Sequence, residues 1–483
     1  MPTDFAGLLD ICRRNCLEPR SDSRAVQPGD IFIAVPGAVE DGARFIPVAA
    51  NAGAAFIVCR PDVKREILET AKTCRITYHN NPREALGKLA QARWHTDGLS
   101  LKILGITGTN GKTTISYMLE KLLISLGEKV GVIGTVAYRW PGHSENAPMT
   151  TPDPIILHSL LARMADAGVT VVVTEISSHA LEQQRVCGIP FQGAIFTNLT
   201  QDHMDYHQDM ESYFAAKTKL FLELPRQDKA MAVNSDDDFG CRLLDLRPSA
   251  LSFGLERKQR ELHLQGKILA SGPWGLRLRM LCKDTAWELS SPLVGVFNAY
   301  NLLAVQALGL GLDLHPKDFS SLETFTGVCG RLERVCNPAG LNIFVDYAHT
   351  PDALVNVLKS LRGAGFSRII AVFGCGGNRD KGKRPLMGEA VACHADVAVL
   401  TSDNPRFEDP FAIIDDVLPG LAKAREVHVE PDRRTATALA LDMLTKDDAM
   451  LVAGKGHEDY QIIQGVKRHY SDQETVRELL RCI

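Results

Sequence analysis

The stretch Lys102-Ile103-Leu104-Gly105-Ile106-Thr107-Gly108-Thr109-Asn110-Gly111-Lys112-Thr113-Thr114 decides the fold of this chain. Its first six residues read as a buried strand, and the glycines after it mark a tight turn. Beyond the turn, Ile115, Met118, Leu119, Leu122, Leu123 and Leu126 recur at the 3.6 period of a helix packed on a sheet, and Gly127 supplies the stop. A strand, a glycine turn and a helix in that order make a phosphate cradle. Glycines let backbone N–H groups converge on phosphate oxygens, Lys112 adds a charge, Thr113 reaches Mg²⁺, and the helix N-terminus favours an anion. The general pattern wants a glycine five residues before Gly111, where this chain has Ile106. What stands here is a shorter Gly108-x-x-Gly111-Lys112-Thr113, and a plain βα turn is the competing reading.

Working outward, residues 169–174 read as a second buried strand that delivers Glu175 at its carboxyl end. A third, 192–197, ends in Asn198-Leu199-Thr200. Open α/β sheets place ligands at such strand ends. Upstream, residues 1–99 alternate strands (31–35 and 54–58, closed by Pro36-Gly37 and Arg60-Pro61) with helical stretches, and Asp97-Gly98 marks a boundary. Residues 250–295 alternate like antiparallel strands around a Gly272-Pro273 turn, and a helix follows over 299–308. From Arg331 a further doubly wound layer is expected, with strands Asn342–Asp346, Ile369–Phe373, Val397–Leu400 and 450–453.

Composition narrows the class. A chain of 483 residues exceeds one ordinary core, so two to four domains are expected. The 54 Lys+Arg against 58 Asp+Glu, with no dense basic run, argue against nucleic acid or an anionic membrane as the main partner. Twelve scattered cysteines show neither C-x-x-C nor zinc-ligand spacing, which fits a reducing compartment. Met1-Pro2-Thr3-Asp4 lacks the basic-then-apolar pattern of a secretory signal, and apolar runs fall far short of the roughly 20 residues that span a bilayer. A soluble, cytoplasmic monomer is expected.

The segment from Gly105 to Thr114 resembles the nucleotide loop of the Mur ligase family. The resemblance continues through Asp22-Ser23-Arg24, Thr150-Thr151-Pro152-Asp153, Glu175-Ile176-Ser177-Ser178-His179, Thr197-Asn198-Leu199 and Asp202-His203-Met204-Asp205-Tyr206-His207. It reaches Gly330-Arg331-Leu332-Glu333 and Asp346-Tyr347-Ala348-His349-Thr350-Pro351. It implies an α/β chain of three domains. Residues 1–99 would hold a uridine nucleotide, residues 100–330 would form a P-loop ATPase-type, mostly parallel sheet, and residues 331–483 a Rossmann-like domain bringing an amino acid. The implied chemistry is amide ligation in peptidoglycan precursor synthesis. ATP phosphorylates the D-Glu side-chain carboxylate of UDP-N-acetylmuramoyl-L-Ala-D-Glu, and an amine attacks the acyl phosphate. Such a site must neutralise phosphate charge and exclude water.

The resemblance also implies roles. Gly108, Thr109, Asn110, Gly111, Lys112, Thr113 and Thr114 would hold ATP, with Lys112 on the β/γ-phosphates and Thr113 and Glu175 on a first Mg²⁺. His203 would help hold a second Mg²⁺, supported by Lys217 as a carbamate (N6-carboxylysine). A lysine takes up CO₂ only where burial or nearby cations leave some of it unprotonated. Asn298, Asn301, Arg331 and Asp346 would contact the base and ribose, and closure of the third domain would complete the ATP site. Ser23, Thr150, Thr151, Ser177, Gln183 and Arg185 would hold the UDP-linked substrate. Ala38 stands where some relatives have His, which leaves the uracil contacts unassigned. Taken singly, Glu175 also reads as a solvated strand end, His203 as a loop histidine, Lys217 as a surface helix lysine and Asn298 as an N-cap.

The segment Thr401-Ser402-Asp403-Asn404-Pro405-Arg406 resembles the signature of members that add meso-diaminopimelate, whereas lysine-adding members commonly lack the Arg. Diaminopimelate carries a second carboxylate at its far end, and a guanidinium forks onto it. Arg406 and Arg379 would clamp that carboxylate. Asp403, Asn404 and Glu458 would orient ammonium groups, and Gly454 would let backbone approach. The alternatives are a lysine-adding ligase, a folylpolyglutamate synthetase-like ligase, which the 1–99 domain counts against, and a nucleotide-binding switch without ligase chemistry. Against the switch stand Glu175, His203 and Lys217, in order after the loop.

Overall fold

The computed structural model describes residues 4–37, 40–200, 206–223, 225–256 and 261–481, so Ala38 and His203 lie outside the described residues. The chain forms two compact units, Met1–Ser252 with Gln306–His315, and Phe253–Val305 with Pro316–Ile483. It is a mixed α/β protein.

The first unit opens with a four-stranded parallel sheet, Pro19–Arg20, Ile31–Ile33, Phe56–Cys59 and Arg75–Tyr78, paired in sequence order. Both its faces are covered. Ile31, Ile33 and Val58 pack with Leu8, Cys12 and Leu89 of the helices Phe5–Asn15 and Pro82–Trp94, while Phe32 and Ile57 pack with Ile46 and Ala49. Two buried faces explain why these strands read as continuous apolar runs rather than alternating ones.

The larger sheet of this unit has Lys102–Thr107 at its centre. Phe191–Phe196 and then Pro225–Asn234 lie on one side, and Val171–Glu175 and Val130–Ile133 on the other, all parallel. An antiparallel edge follows, Ala137–Trp140 and His143–Asn146. Register pairs Thr107 with Phe196 and Ile106 with Glu175. The glycine turn, Glu175 and Thr197-Asn198 therefore emerge side by side at the carboxyl edge. The helix Lys112–Ser125 buries Ile115, Met118, Leu119, Leu122 and Leu123, as the period predicts. Leu126 is exposed instead, because the helix ends at Ser125 and Gly127, at φ +87°, turns the chain away.

The second unit holds the antiparallel strands Leu264–Gly272, Gly275–Cys282 and Thr285–Ser291, turning at Pro273-Trp274 as expected from Gly272-Pro273. Its main sheet runs Glu333–Arg334, Asn342–Asp346, Ala449–Ala453, Ile369–Phe373, Val397–Leu400, Val427–Val429. All but the first pair are parallel, and separate hydrophobic clusters cover the two faces. Asp346, Gly454 and Thr401 stand at or just past the carboxyl ends of three of these strands. The helix expected over 299–308 runs Val296–Gly311.

Candidate active site

The glycine turn is braced from the neighbouring strand. Thr109 N donates to Asn198 O at 2.8 Å, Asn110 N to Asn198 Oδ1 at 2.9 Å, and Thr197 Oγ1 to Asn110 O at 2.6 Å. Gly108 sits at φ +143°, and a Cβ there would lie 1.9 Å from Thr197 Oγ1, so only glycine fits. Gly111, at φ +89°, opens the helix without a side-chain cap. The helices that start at Pro154, Ser178 and Met210 are instead capped by Asp153, Ser177 and Asp209, whereas the short helices Ile46–Asn51 and Arg65–Leu68 also lack a side-chain cap. The missing cap at Gly111 leaves the first-turn N–H groups to an anion. Lys112 Nζ folds over the turn, donating to Gly108 O at 2.9 Å and Thr109 O at 2.8 Å. Gly108→Ala is expected to strain the turn by about 1–3 kcal/mol and weaken ATP binding about tenfold or more. A fluorescent-nucleotide titration measures it, and circular dichroism should stay unchanged.

Glu175 is the centre of the arrangement. It is 1% exposed, and its carboxylate receives Thr113 Oγ1 and Thr135 Oγ1 on Oε2, each at 2.9 Å, and Thr135 N on Oε1 at 3.1 Å. Ser116 Oγ lies 3.5 Å from Oε1. A Cβ on Gly134 would come within 2.3 Å of Oε1, so glycine there lets the backbone close on the carboxylate. Among the described residues every one of these donors is neutral. A buried carboxylate hydrogen-bonded but not charge-compensated is costly alone and suits a cation. Its oxygen donors, with the Thr113 hydroxyl beside them, match the hard-ligand preference of Mg²⁺, which keeps water and phosphate in its remaining positions.

The residues expected to face the UDP-linked substrate, Ser23 excepted, gather next to it. Thr135 Oγ1 lies 3.1 Å from Thr150 Oγ1, Thr151 Oγ1 donates to Glu175 O at 2.8 Å, and Ser177 N donates to Thr151 Oγ1 at 3.0 Å. Gln183 Oε1 accepts from Arg185 Nη2 at 2.8 Å, Gln183 Nε2 donates to Tyr206 OH at 3.1 Å, and Arg185 Nη1 donates to Thr151 O at 2.9 Å. Burial pulls the Arg185 guanidinium below its ordinary pKa. Ser23 is buried in a separate short turn, capped by Asp22. Lys217 is 1% exposed, not a surface lysine. Its Nζ donates to Gly108 O at 2.9 Å and lies 4.6 Å from the Tyr213 ring centroid, which ties it to the glycine turn.

The second unit carries the other predicted residues. Asn301 Nδ2 donates to Asn298 Oδ1 at 3.0 Å, and Asn298 Nδ2 to Val294 O at 2.9 Å. Asp346 accepts Leu332 N at 2.6 Å and Ala348 N at 2.7 Å, with Arg331 near, and burial raises its pKa. The Arg331 guanidinium stands 4.8 Å from the Tyr347 ring. Asp403, Asn404, Arg406, Gly454 and Glu458 converge. Asn404 Nδ2 donates to Glu458 Oε2 at 3.0 Å, and a Cβ on Gly454, at φ +118°, would lie 3.0 Å from Asp403 Oδ2. Arg406 Nη1 donates to Gly377 O at 2.7 Å. Arg379 is exposed in the loop after Gly377.

Sequence reading missed Thr135, Ser116 and Gly134 around Glu175. The available signal was Gly134-Thr135 just past the strand Val130–Ile133. It also missed Lys455, buried between Asp403 and Glu458, and the Arg433–Asp472 pair, fully buried, in which Arg433 Nη2 also donates to Ala453 O at 2.9 Å.

Three domain families match the chain. They are "Mur ligase family, catalytic domain" over residues 20–94, "Mur ligase middle domain" over 106–309, and "Mur ligase, glutamate ligase domain" over 330–456. The UDP-N-acetylmuramoyl-L-alanyl-D-glutamate–2,6-diaminopimelate ligase of Lawsonia intracellularis is 54% identical over 463 residues, 95% of each chain. A solved structure of a ligase with that same name is 31% identical with a TM-score of 0.70, covering 96% of this chain and 94% of its own. MurF ligase from Thermotoga maritima in complex with ADP shares the fold, with a TM-score of 0.61 at 20% identity and 97% coverage of both chains.

Proposed function

The chain belongs to the Mur ligase family, and from that premise we propose that it is the ATP-dependent, ADP-forming ligase that adds meso-2,6-diaminopimelate to UDP-N-acetylmuramoyl-L-Ala-D-Glu. The observation that carries the ATP half is Glu175, buried beside Thr113 and surrounded by neutral donors at the phosphate turn. The three-domain division at 1–99, 100–330 and 331–483 is part of the proposal, supported by the three matched segments.

The D-Glu side-chain carboxylate attacks the γ-phosphorus of ATP, and ADP leaves. The amine of diaminopimelate then attacks the carbonyl carbon of the acyl phosphate. The tetrahedral intermediate expels inorganic phosphate, and the amine proton passes to solvent. Residues 108–114 cradle the phosphates, with the uncapped helix N-terminus and Lys112 placed to balance charge that grows on the bridging oxygen. Thr113 and Glu175 would hold one Mg²⁺, and His203 with carbamylated Lys217 a second; when bound these ions neutralise phosphate and carboxylate charge. Thr150, Thr151, Ser177, Gln183 and Arg185, with Ser23, are assigned to the UDP-linked substrate, and Asn298, Asn301, Arg331 and Asp346 to the nucleotide. Arg406 and Arg379 are assigned to the far carboxylate, and Asp403, Asn404, Gly454 and Glu458 to the amino acid's polar groups. Among the described residues no helix is long and apolar enough to cross a membrane. A cytoplasmic monomer is the working assignment.

Phosphate release tests the class. It is expected only when ATP, the UDP-muramoyl-dipeptide and diaminopimelate are present together. ATP hydrolysis at full rate without the other two would instead mark a nucleotide switch.

A further inference from the structure

Lys455 lies between two glycines, a setting that in sequence suggests an exposed loop. Its side chain is fully buried. The ammonium donates to Tyr460 O at 2.6 Å and Asn404 Oδ1 at 3.2 Å, and faces Asp403 Oδ1 at 3.4 Å and Glu458 Oε2 at 3.7 Å. Asn404 is fixed as a result. Its Oδ1 also accepts Ile462 N at 2.9 Å, and its Nδ2 reaches Glu458 Oε2 at 3.0 Å. Arg406 supplies the remaining charge of this group. Arg433 and Asp472 next to it are paired with each other and cancel; Arg379, assigned above to the same carboxylate, is exposed and its charge is screened by solvent, so it does not enter the sum of the enclosed charges.

We infer that Lys455 determines amino-acid specificity by making this pocket electrically neutral, so that it matches a zwitterionic ligand end rather than a bare ammonium. The inference rests on the diaminopimelate reading. Asp403 and Glu458 contribute two negative charges, and Lys455 and Arg406 two positive ones. The far end of diaminopimelate carries one ammonium and one carboxylate, also summing to zero. L-Lysine brings an ammonium alone. A net-neutral pocket gives it no electrostatic gain while the Nη2/Nε edge of the half-buried Arg406 is left without a carboxylate, and a charge left without its partner discriminates between ligands. Burial pushes the Lys455 ammonium down and the Glu458 carboxyl up in pKa, and a proton moving between them leaves the sum unchanged. Lys455 is thus a positioning residue, acting through Asp403, Asn404 and Glu458.

The test is the ratio of kcat/KM for meso-diaminopimelate to that for L-lysine, with the full-length protein, ATP and the UDP-muramoyl-dipeptide. Lys455→Met leaves a net negative pocket, and the ratio is expected to fall about tenfold or more. The double variant Lys455→Met/Glu458→Gln restores neutrality and should return the ratio to within about threefold of wild type, even where both rates are low. A Lys455→Met ratio within about twofold of wild type, with both substrates slowed alike, overturns the inference and leaves Lys455 a structural residue. If Lys455→Met does not fold, Glu458→Gln decides: its net positive pocket should raise the ratio, and a fall or no change overturns the inference. Wild-type preference for diaminopimelate, measured in the same series, checks the underlying reading separately.

Discussion

Arg406→Ala and Arg406→Lys are each expected to lower kcat/KM for meso-diaminopimelate by about 100-fold or more, while turnover of L-lysine does not fall. The guanidinium is held at one corner only. Nη1 donates to Gly377 O at 2.7 Å, and the backbone is clamped by Arg406 N to Ile462 O at 3.0 Å and Gln464 N to Arg406 O at 2.6 Å. The edge carrying Nη2 and Nε has no described partner, which leaves a fork for a carboxylate. Lysine at this position keeps the charge but cannot make two parallel bonds. Arg406 stands at φ +55°, a strain that Ala and Lys share, so the substitutions change the side chain and not the backbone preference. Equal losses with both amino acids would remove the clamp role.

Glu175→Gln is the second large effect. It should cut kcat/KM by about 10³-fold or more, while the melting temperature stays level or rises. Both expectations come from one fact: the buried carboxylate is hydrogen-bonded by neutral donors, Thr113, Thr135 and the Thr135 N–H. Glutamine keeps the shape and removes the Glu175 charge proposed to hold the first Mg²⁺. The folded protein no longer carries a desolvated anion, so stability is not lost with activity. Calorimetry and steady-state kinetics on one preparation read both. A variant that lost stability and activity in step would place Glu175 in the scaffold rather than in metal binding.

Part of this site was readable before any coordinates. Residues 102–114 carry a strand, a turn and a helix whose apolar period survives at Ile115, Met118, Leu119, Leu122 and Leu123. Glu175 and 401–406 were readable because they follow continuous apolar runs, and parallel strands end at one edge. Thr135 was not, since its bond to Glu175 depends on the pairing of Ile133 with Thr174, which no local signal encodes. Lys455 and the Arg433–Asp472 pair were invisible for a related reason. A charged residue reads as solvated until its partners, in these pairs up to 52 residues away, are brought to it. Lys217 belongs to the same class, a helix lysine whose burial arises from the 108–111 turn and Tyr213.

The most direct measurement compares meso-diaminopimelate with L-lysine as acceptor amine, using the purified protein with ATP, Mg²⁺ and UDP-N-acetylmuramoyl-L-Ala-D-Glu, and identifies the product by mass. The predicted result is one new amide to diaminopimelate, one phosphate released per product, and kcat/KM about 100-fold or more above that for L-lysine. Equal use of the two amines, or phosphate release without an amide product, would contradict the account.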